Sequence, residues 1–318
     1  MLISELQNEF HGLPVVEFPT DTDTAPVVPP PGPVAWRIAV PTYDAEVEWP
    51  EAFETFRATV DPASVQAIVV GGWSEPYENS SADVMAALVA AADELPALRS
   101  LFLGDMTFED CEISWIVQSD VTALLTAFPR LEHLTVRGGN QLALTPVRHE
   151  HLRTLVIESG GLSGDVVRAV AASDLPALTE LELWLGDENY GADSSVEDLA
   201  PILAGGKLPH LTRLALANSE YQDDIAAAVA SATIVPRLRV LDLSKGILGD
   251  AGAEALLAGQ PLTHLESLDL HHNYLTGGMR ERLRAALEPS GVQLDLDGGD
   301  ADEDEYDGTV YRSVAVGE

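Results

Sequence analysis

An α/β solenoid, with a parallel sheet lining its concave face and helices on its convex face, is the fold predicted for these 318 residues. Three features predict it. A short strand signature, apolar at its first, fourth and sixth positions, begins at Val65, Leu98, Leu131, Leu152, Leu178, Leu211, Leu238 and Leu265, and more weakly at Gly291. Successive copies are 21 to 33 residues apart, with a mean of about 28, as a strand-plus-helix repeat requires. Between the signatures lie glycine-punctuated turns and Ala/Leu-rich stretches with apolar residues three and four apart, the helical period. One such unit cannot bury its own apolar face, so the copies must stack.

Taken in order, Leu13 to Phe18 (LPVVEF) reads as a short extended segment, followed by the proline-rich stretch Thr20 to Pro33, an extended spacer. Residues 1–33 are thus an N-terminal extension and linker. Residues 34–61, with a strand at Trp36 to Val40 and helical spacing through Phe53, Phe56 and Val60, form a cap that covers the open end of the core. Residues 62–297 are the solenoid, with about nine strands. Helices are expected at Ser81–Leu95, Trp115–Phe128, Asp165–Ala172, Val196–Leu203, Asp223–Val235, Ala251–Ala258 and Gly278–Leu287. The 21-residue repeat from Leu131 is too short for a full helix and contains Pro146, so its convex side should be extended. Residues 298–318 are an acidic tail, solvated at first, ending in the strand-like Thr309 to Val316, an apolar segment on a tether that docks either on this solenoid or on a partner.

The repeats, LDLSKGILGDAGAEALL and LDLHHNYLTGGM above all, resemble a leucine-rich-repeat solenoid of the ribonuclease-inhibitor type over roughly residues 62–297. The whole chain, through FHGLPVVEFP, SLFLGDMTFEDCEISWI, VRHEHLRTLVIESGGL and LELWLG, is similar to a family of functionally uncharacterised bacterial repeat proteins. Relatives in that family tend to be encoded beside radical-SAM and ATP-grasp-type enzymes. The resemblance therefore implies an accessory or substrate-presenting role in a small bacterial biosynthetic pathway.

Composition narrows the partners. The formal net charge is −35, and only eight of the 52 carboxylates lie between Asp295 and Asp307, so the folded body is itself acidic. Such a surface repels phosphate backbones and anionic lipid. Nucleic acid and membranes are excluded as partners; a protein or peptide, basic by preference, is favoured. One cysteine, Cys111, rules out an internal disulfide. No lysine or arginine precedes Arg37, and no 18-residue apolar run occurs, so a cytoplasmic location is expected. The oligomeric state is left open.

Three repeats carry extra residues directly after their strands: Gly71–Ser80, Gly104–Ile113 and Gly186–Ser195. In a parallel sheet such loops emerge along one rim, at the carboxyl ends of the strands. Trp73, Tyr77, Trp184 and Tyr190 fall there, and either bind a partner or plug the end of the core. Asp105, Arg137, Glu158 and the glycines at 138, 139, 160 and 161 follow three consecutive strands, giving recognition groups or tight turns. On the concave face, Asp242, Asp269 and Asp295 share one register position, about 4.8 Å apart if aligned, with His271 beside them. They form a basic-partner or cation patch, or an ordinary solvated stripe.

No catalytic constellation stands out. GxxxxGK[ST] is absent, HEH at 149–151 is not a zinc-protease motif, and Cys111 lies among Glu109, Asp110 and Glu112, which disfavour a thiolate. The reading is a non-catalytic interaction scaffold with no cofactor, gripping its partner through Trp73, Tyr77, Asp105, Arg137, Glu158, Trp184 and Tyr190, with Asp242, Asp269 and His271 as a second patch. The alternative is a metal-dependent small-molecule binder or enzyme on the Asp/His surface.

Overall fold

The computed structural model describes residues 3–20, 32–301, 303–306 and 309–317. The repeat begins earlier than the leucines suggest. A hairpin of β1 (Glu9–Phe10) and β2 (Leu13–Phe18) leads into β3 (Ala35–Ile38) and the first helix, α1 (Trp49–Thr59). Then follow β4 (Ala67–Val70), α2 (Ala82–Ala90), β5 (Ser100–Leu103), α3 (Thr122–Ala127), β6 (His133–Arg137), β7 (Thr154–Glu158) and α4 (Gly164–Ala172). The second half runs β8 (Glu180–Gly186), α5 (Val196–Ala204), β9 (Arg213–Ser219), α6 (Gln222–Val229), β10 (Val240–Asp242), α7 (Asp250–Ala258), β11 (Ser267–Asp269), α8 (Gly277–Leu287) and β12 (Gln293–Asp295). β1 to β12 form one sheet in sequence order, parallel from β2 onward. A hairpin of β13 (Asp304–Tyr306) and β14 (Thr309–Tyr311) stands apart. Most of the proline-rich linker, 21–31, lies outside the described residues.

The fourth position of each signature explains the stacking. Ile68, Leu101, Leu134, Leu155, Leu181, Leu214, Leu241, Leu268 and Leu294 are consecutive register partners, a column of apolar side chains through the core. A fully buried leucine contributes about 1.5–3 kcal/mol, so the column holds neighbouring repeats in register. Polar side chains close the turns between strand and helix. Asn273 donates to the Leu270 carbonyl at 2.6 Å and accepts from Leu275 N–H at 3.1 Å, and Thr276 caps α8 at Met279 N.

Three expected helices are shorter than their apolar spacing suggests: α2, which ends at Ala90 rather than Leu95, α3 and α6. α3 starts at Thr122 rather than Trp115, because the chain before it is drawn into bridges with the next repeat, Val117 with Asn140 and Asp120 with Ala143. α6 stops at Val229, where Gln260 Nε2 donates to the carbonyls of Val229 and Ala232. The short repeat is helix-free between 139 and 150, joined to its neighbours by isolated bridges at Asn140, Ala143 and Arg148.

Both ends of the chain fold back onto the concave side. Phe10 of the first hairpin packs with Ala35, Ala67, Val69 and Phe102 in a small apolar cluster on the inner face of the first strands. His11 stacks on His133 with ring centroids 3.6 Å apart. Water excluded from this stack pushes both ring pKa values down, His11 to about 4 with help from repulsion by His133. A folded pKa below the unfolded one means that the unfolded chain takes up protons first as the pH falls. The stability contributed by the neutral pair is complete above about pH 6.5 and is lost towards pH 4. The melting temperature should therefore drop through that window, and His133→Phe should make the drop shallower; superposable curves would remove the pair from the account. Among the described residues, no helix is long and apolar enough to cross a membrane.

Candidate functional site

The inserted loops build one rim. In the first, Trp73 is only 3% exposed and donates from Nε1 to the Asn79 carbonyl at 2.8 Å, closing the loop on itself. That closure turns Tyr77 outward, where it meets the Tyr43 ring at 5.7 Å. In the second, Asp110 accepts from both the N–H and the hydroxyl of Thr107, and the chain runs on to place Trp115, 56% exposed, at the surface. In the third, Asp187 accepts from Asn189 N–H and sets a single 3₁₀ turn that carries Tyr190.

Between these loops lies a cleft of about 580 Å³, lined by Tyr77, Trp115, Asn140, Ser163, Tyr190 and the glycines at 139, 161 and 191. Beside it an aromatic recess of about 360 Å³ is formed by Tyr43, Tyr77, Phe108 and Trp115, with Cys111 and Glu112 at its edge. No carboxylate, histidine, lysine or arginine is among the described residues lining the cleft. It offers aromatic faces, amide and hydroxyl groups, and close backbone approach. In the recess, burial and the adjoining Glu112 and Asp110 push the Cys111 thiol up to about 12, which disfavours a thiolate there.

Asp105, Arg137 and Glu158 do come together, but beneath the rim. Asp105 accepts from Arg137 Nη1 at 3.3 Å, from Gln7 N–H at 3.2 Å, and from Arg37 Nη2. Arg137 Nε donates to Glu158 at 2.6 Å, its Nη1 to the Met106 carbonyl at 2.8 Å, and its guanidinium lies over the Phe102 ring. Burial raises the Glu158 pKa against the pull of Arg137. Asp105 is 1% and Arg137 3% exposed. These charges brace the inserted loop and present no surface to a partner.

Trp184 is buried as well, for a reason the sequence left open. The segment 313–317 lies over it, and Ile113, Trp184, Ala217, Ala315 and Val316 share one apolar cluster, with Ile3 against it. Lys245 Nζ sits 4.9 Å from the centre of the indole, which donates to Glu182 at 2.8 Å. Of the two docking possibilities for this apolar segment, the structure takes the solenoid itself.

In the second patch the register is as expected: Asp242, Asp269 and Asp295 are direct partners on β10, β11 and β12. Their surroundings differ. Asp242 is 4% exposed, and burial raises its pKa. Burial opposes ionisation of Asp269 too, but two bonds from His271, its N–H at 2.9 Å and Nδ1 at 2.8 Å, outweigh it and hold the carboxyl below its usual range. The same pairing raises the His271 pKa. One ligand atom each from Asp269, His271 and Asp295 lie within 4.8 Å of one another, so these three could hold a hard cation. The ring proton shared with Asp269 would have to leave first.

Sequence reasoning missed Tyr43, Trp115 and Asn218. Trp115 sat at helical spacing before Phe128, and only the bridges at Val117 and Asp120 show that it precedes the helix. Tyr43 lies in a loop whose neighbours in space come from other repeats. Asn218 is at the end of β9 with φ of +56°, a left-handed conformation that aims its amide across the rim.

No protein-family model matches the chain, and no curated protein does. Among solved structures it is similar to a Bacteroides fragilis protein from a structural-genomics programme, at 29% identity and a TM-score of 0.75, over 85% of this chain and 73% of that one. An internalin of Listeria monocytogenes also matches, at 16% identity and a TM-score of 0.27, over 72% of each chain. The parallel sheet in sequence order, the apolar column through it and the asparagine-closed turn make the fold an α/β leucine-rich-repeat solenoid.

Proposed function

We propose that this protein is a non-catalytic scaffold that takes a protein or peptide partner on its rim. The observation that carries the reading is the open cleft, with no carboxylate, histidine, lysine or arginine among its described lining residues, beside an aromatic recess that has Cys111 and Glu112 at its edge. Exposed tryptophan and tyrosine supply large contact area at low entropic cost. The contact residues in this reading are Tyr43, Tyr77, Trp115 and Tyr190; Trp73, Asp105, Arg137 and Glu158 position them. The net charge of −35 steers basic partners. A helix on the convex side of most repeats supports the ribonuclease-inhibitor type, and a cytoplasmic accessory role in a small bacterial biosynthetic pathway fits the same reading.

The test is capture of partners from the host lysate by wild type and by Tyr43→Ala/Trp115→Ala, both on the surface and neutral for folding. A protein retained by the wild type should be lost at least tenfold with the double variant, as expected for two contact hot spots of about 1–2 kcal/mol each. Equal retention by both would move the interface off the rim.

A further inference from the structure

We infer that the groove along the inner edge of the rim is a binding site for an extended peptide of small apolar residues followed by glycine, occupied here by the chain's own segment 313–317. The inference deepens the scaffold reading and rests on it for the partner.

The segment runs past the carboxyl ends of β11, β10 and β9 in turn and is held mainly through its backbone. Ser313 donates to the Tyr274 hydroxyl at 3.0 Å, and its carbonyl lies 2.9 Å from that hydroxyl and 3.1 Å from His272 Nε2. Ala315 N–H donates to the Lys245 carbonyl at 2.7 Å. Asn218 then reads both polar groups of one residue: its Oδ1 accepts from Val316 N–H at 2.9 Å, and its Nδ2 donates to the Val316 carbonyl at 2.6 Å. The Ser114 hydroxyl donates to the Gly317 carbonyl. A side-chain amide that pairs with both the N–H and the carbonyl of one residue mimics a neighbouring strand, and it accepts any residue whose side chain fits the floor.

The floor sets the preference. Val314, Ala315 and Val316 are buried, the last two against Ile113, Trp184 and Ala217. A Cβ on Gly317 would meet Tyr190 Cε2 at 2.7 Å, and a Cβ on Gly160 would meet the Gly317 carbonyl at 2.2 Å. The fifth position therefore has to be glycine. Beyond it the groove opens into the rim cleft, since Ser114 and Tyr190 belong to both. A partner peptide seated in the groove runs directly into the proposed interface.

The experiment titrates a fluorescein-labelled peptide with the sequence of residues 309–318 into full-length protein and follows anisotropy. In the wild type the tethered segment competes at roughly millimolar effective concentration. Gly317→Val, a change at an edge position, should weaken the tethered copy and raise affinity for the added peptide about 10- to 100-fold. Asn218→Gly, which keeps the left-handed backbone but removes the amide, should abolish that gain in the Gly317→Val background. Equal binding by wild type and Gly317→Val, or a gain that survives Asn218→Gly, overturns the inference. The readout needs no host partner, so equal retention of host protein by wild type and Tyr43→Ala/Trp115→Ala, with peptide binding intact, would overturn the rim reading and leave the groove standing.

Discussion

Replacing Asp105 with asparagine is expected to destabilise the fold by about 3–5 kcal/mol, the cost of removing one partner from a buried ionic network. The carboxylate is fully covered and lies between the guanidiniums of Arg37 and Arg137. Asparagine keeps the shape and the acceptor oxygen for Gln7 but withdraws the charge. Two buried cations then share Glu158 on one side and the half-exposed Glu17, 3.7 Å from Arg37, on the other. The matching control is Arg239→Ala, which breaks an exposed pair with Glu266 and should cost about 1 kcal/mol or less. Urea denaturation followed by circular dichroism separates the two, and an Asp105→Asn cost as small as the control's would show that the network is neutral to stability. The effect should reach the rim as well. Arg137 also holds the Met106 carbonyl, so the loop that carries Trp115 loses an anchor, and hydrogen exchange over 106–117 should quicken more than over α7.

The repeat was legible because its physics is periodic: a leucine every fourth and sixth residue after a start, then an Ala/Leu helix, leaves little choice of fold. The site was legible in place but not in detail. Loop lengths located the rim, and the parallel register aligned Asp242, Asp269 and Asp295 from spacing alone. Burial was what the sequence withheld. Trp184 at a strand end and Trp115 in an insertion have the same local character, yet the first is covered by a segment more than 120 positions later and the second is open. Asp105 and Arg137 suggested recognition groups because Arg37, the second cation on Asp105, lies in a strand that the leucine pattern does not mark. Contacts between distant segments decide exposure, and period carries no information about them.

The second large effect belongs to the cap. Phe53→Ala should cost about 3–5 kcal/mol, since the ring is wholly buried and its removal leaves a cavity that a helix packed on a sheet closes only in part. Phe53 stacks on Trp49 at 5.1 Å and on Phe56 at 6.1 Å, while Phe56 carries the edges of Phe18 and Trp36. One aromatic stack therefore joins α1 to β2 and β3. In a solenoid each repeat contacts mainly its neighbours, so damage at one end need not travel. Hydrogen exchange in Phe53→Ala should accelerate in β3 and β4 while β10 and β11 keep wild-type protection, and the denaturation curve should broaden as the end frays first. A uniform loss of protection along the sheet would mean that the twelve strands unfold as one cooperative unit. Fraying at this end would also move Tyr43, which lies between β3 and α1, and so weaken the aromatic recess without any change to Trp115. Partner capture by Phe53→Ala, compared with Tyr43→Ala alone, would then measure how far binding depends on a rigid cap.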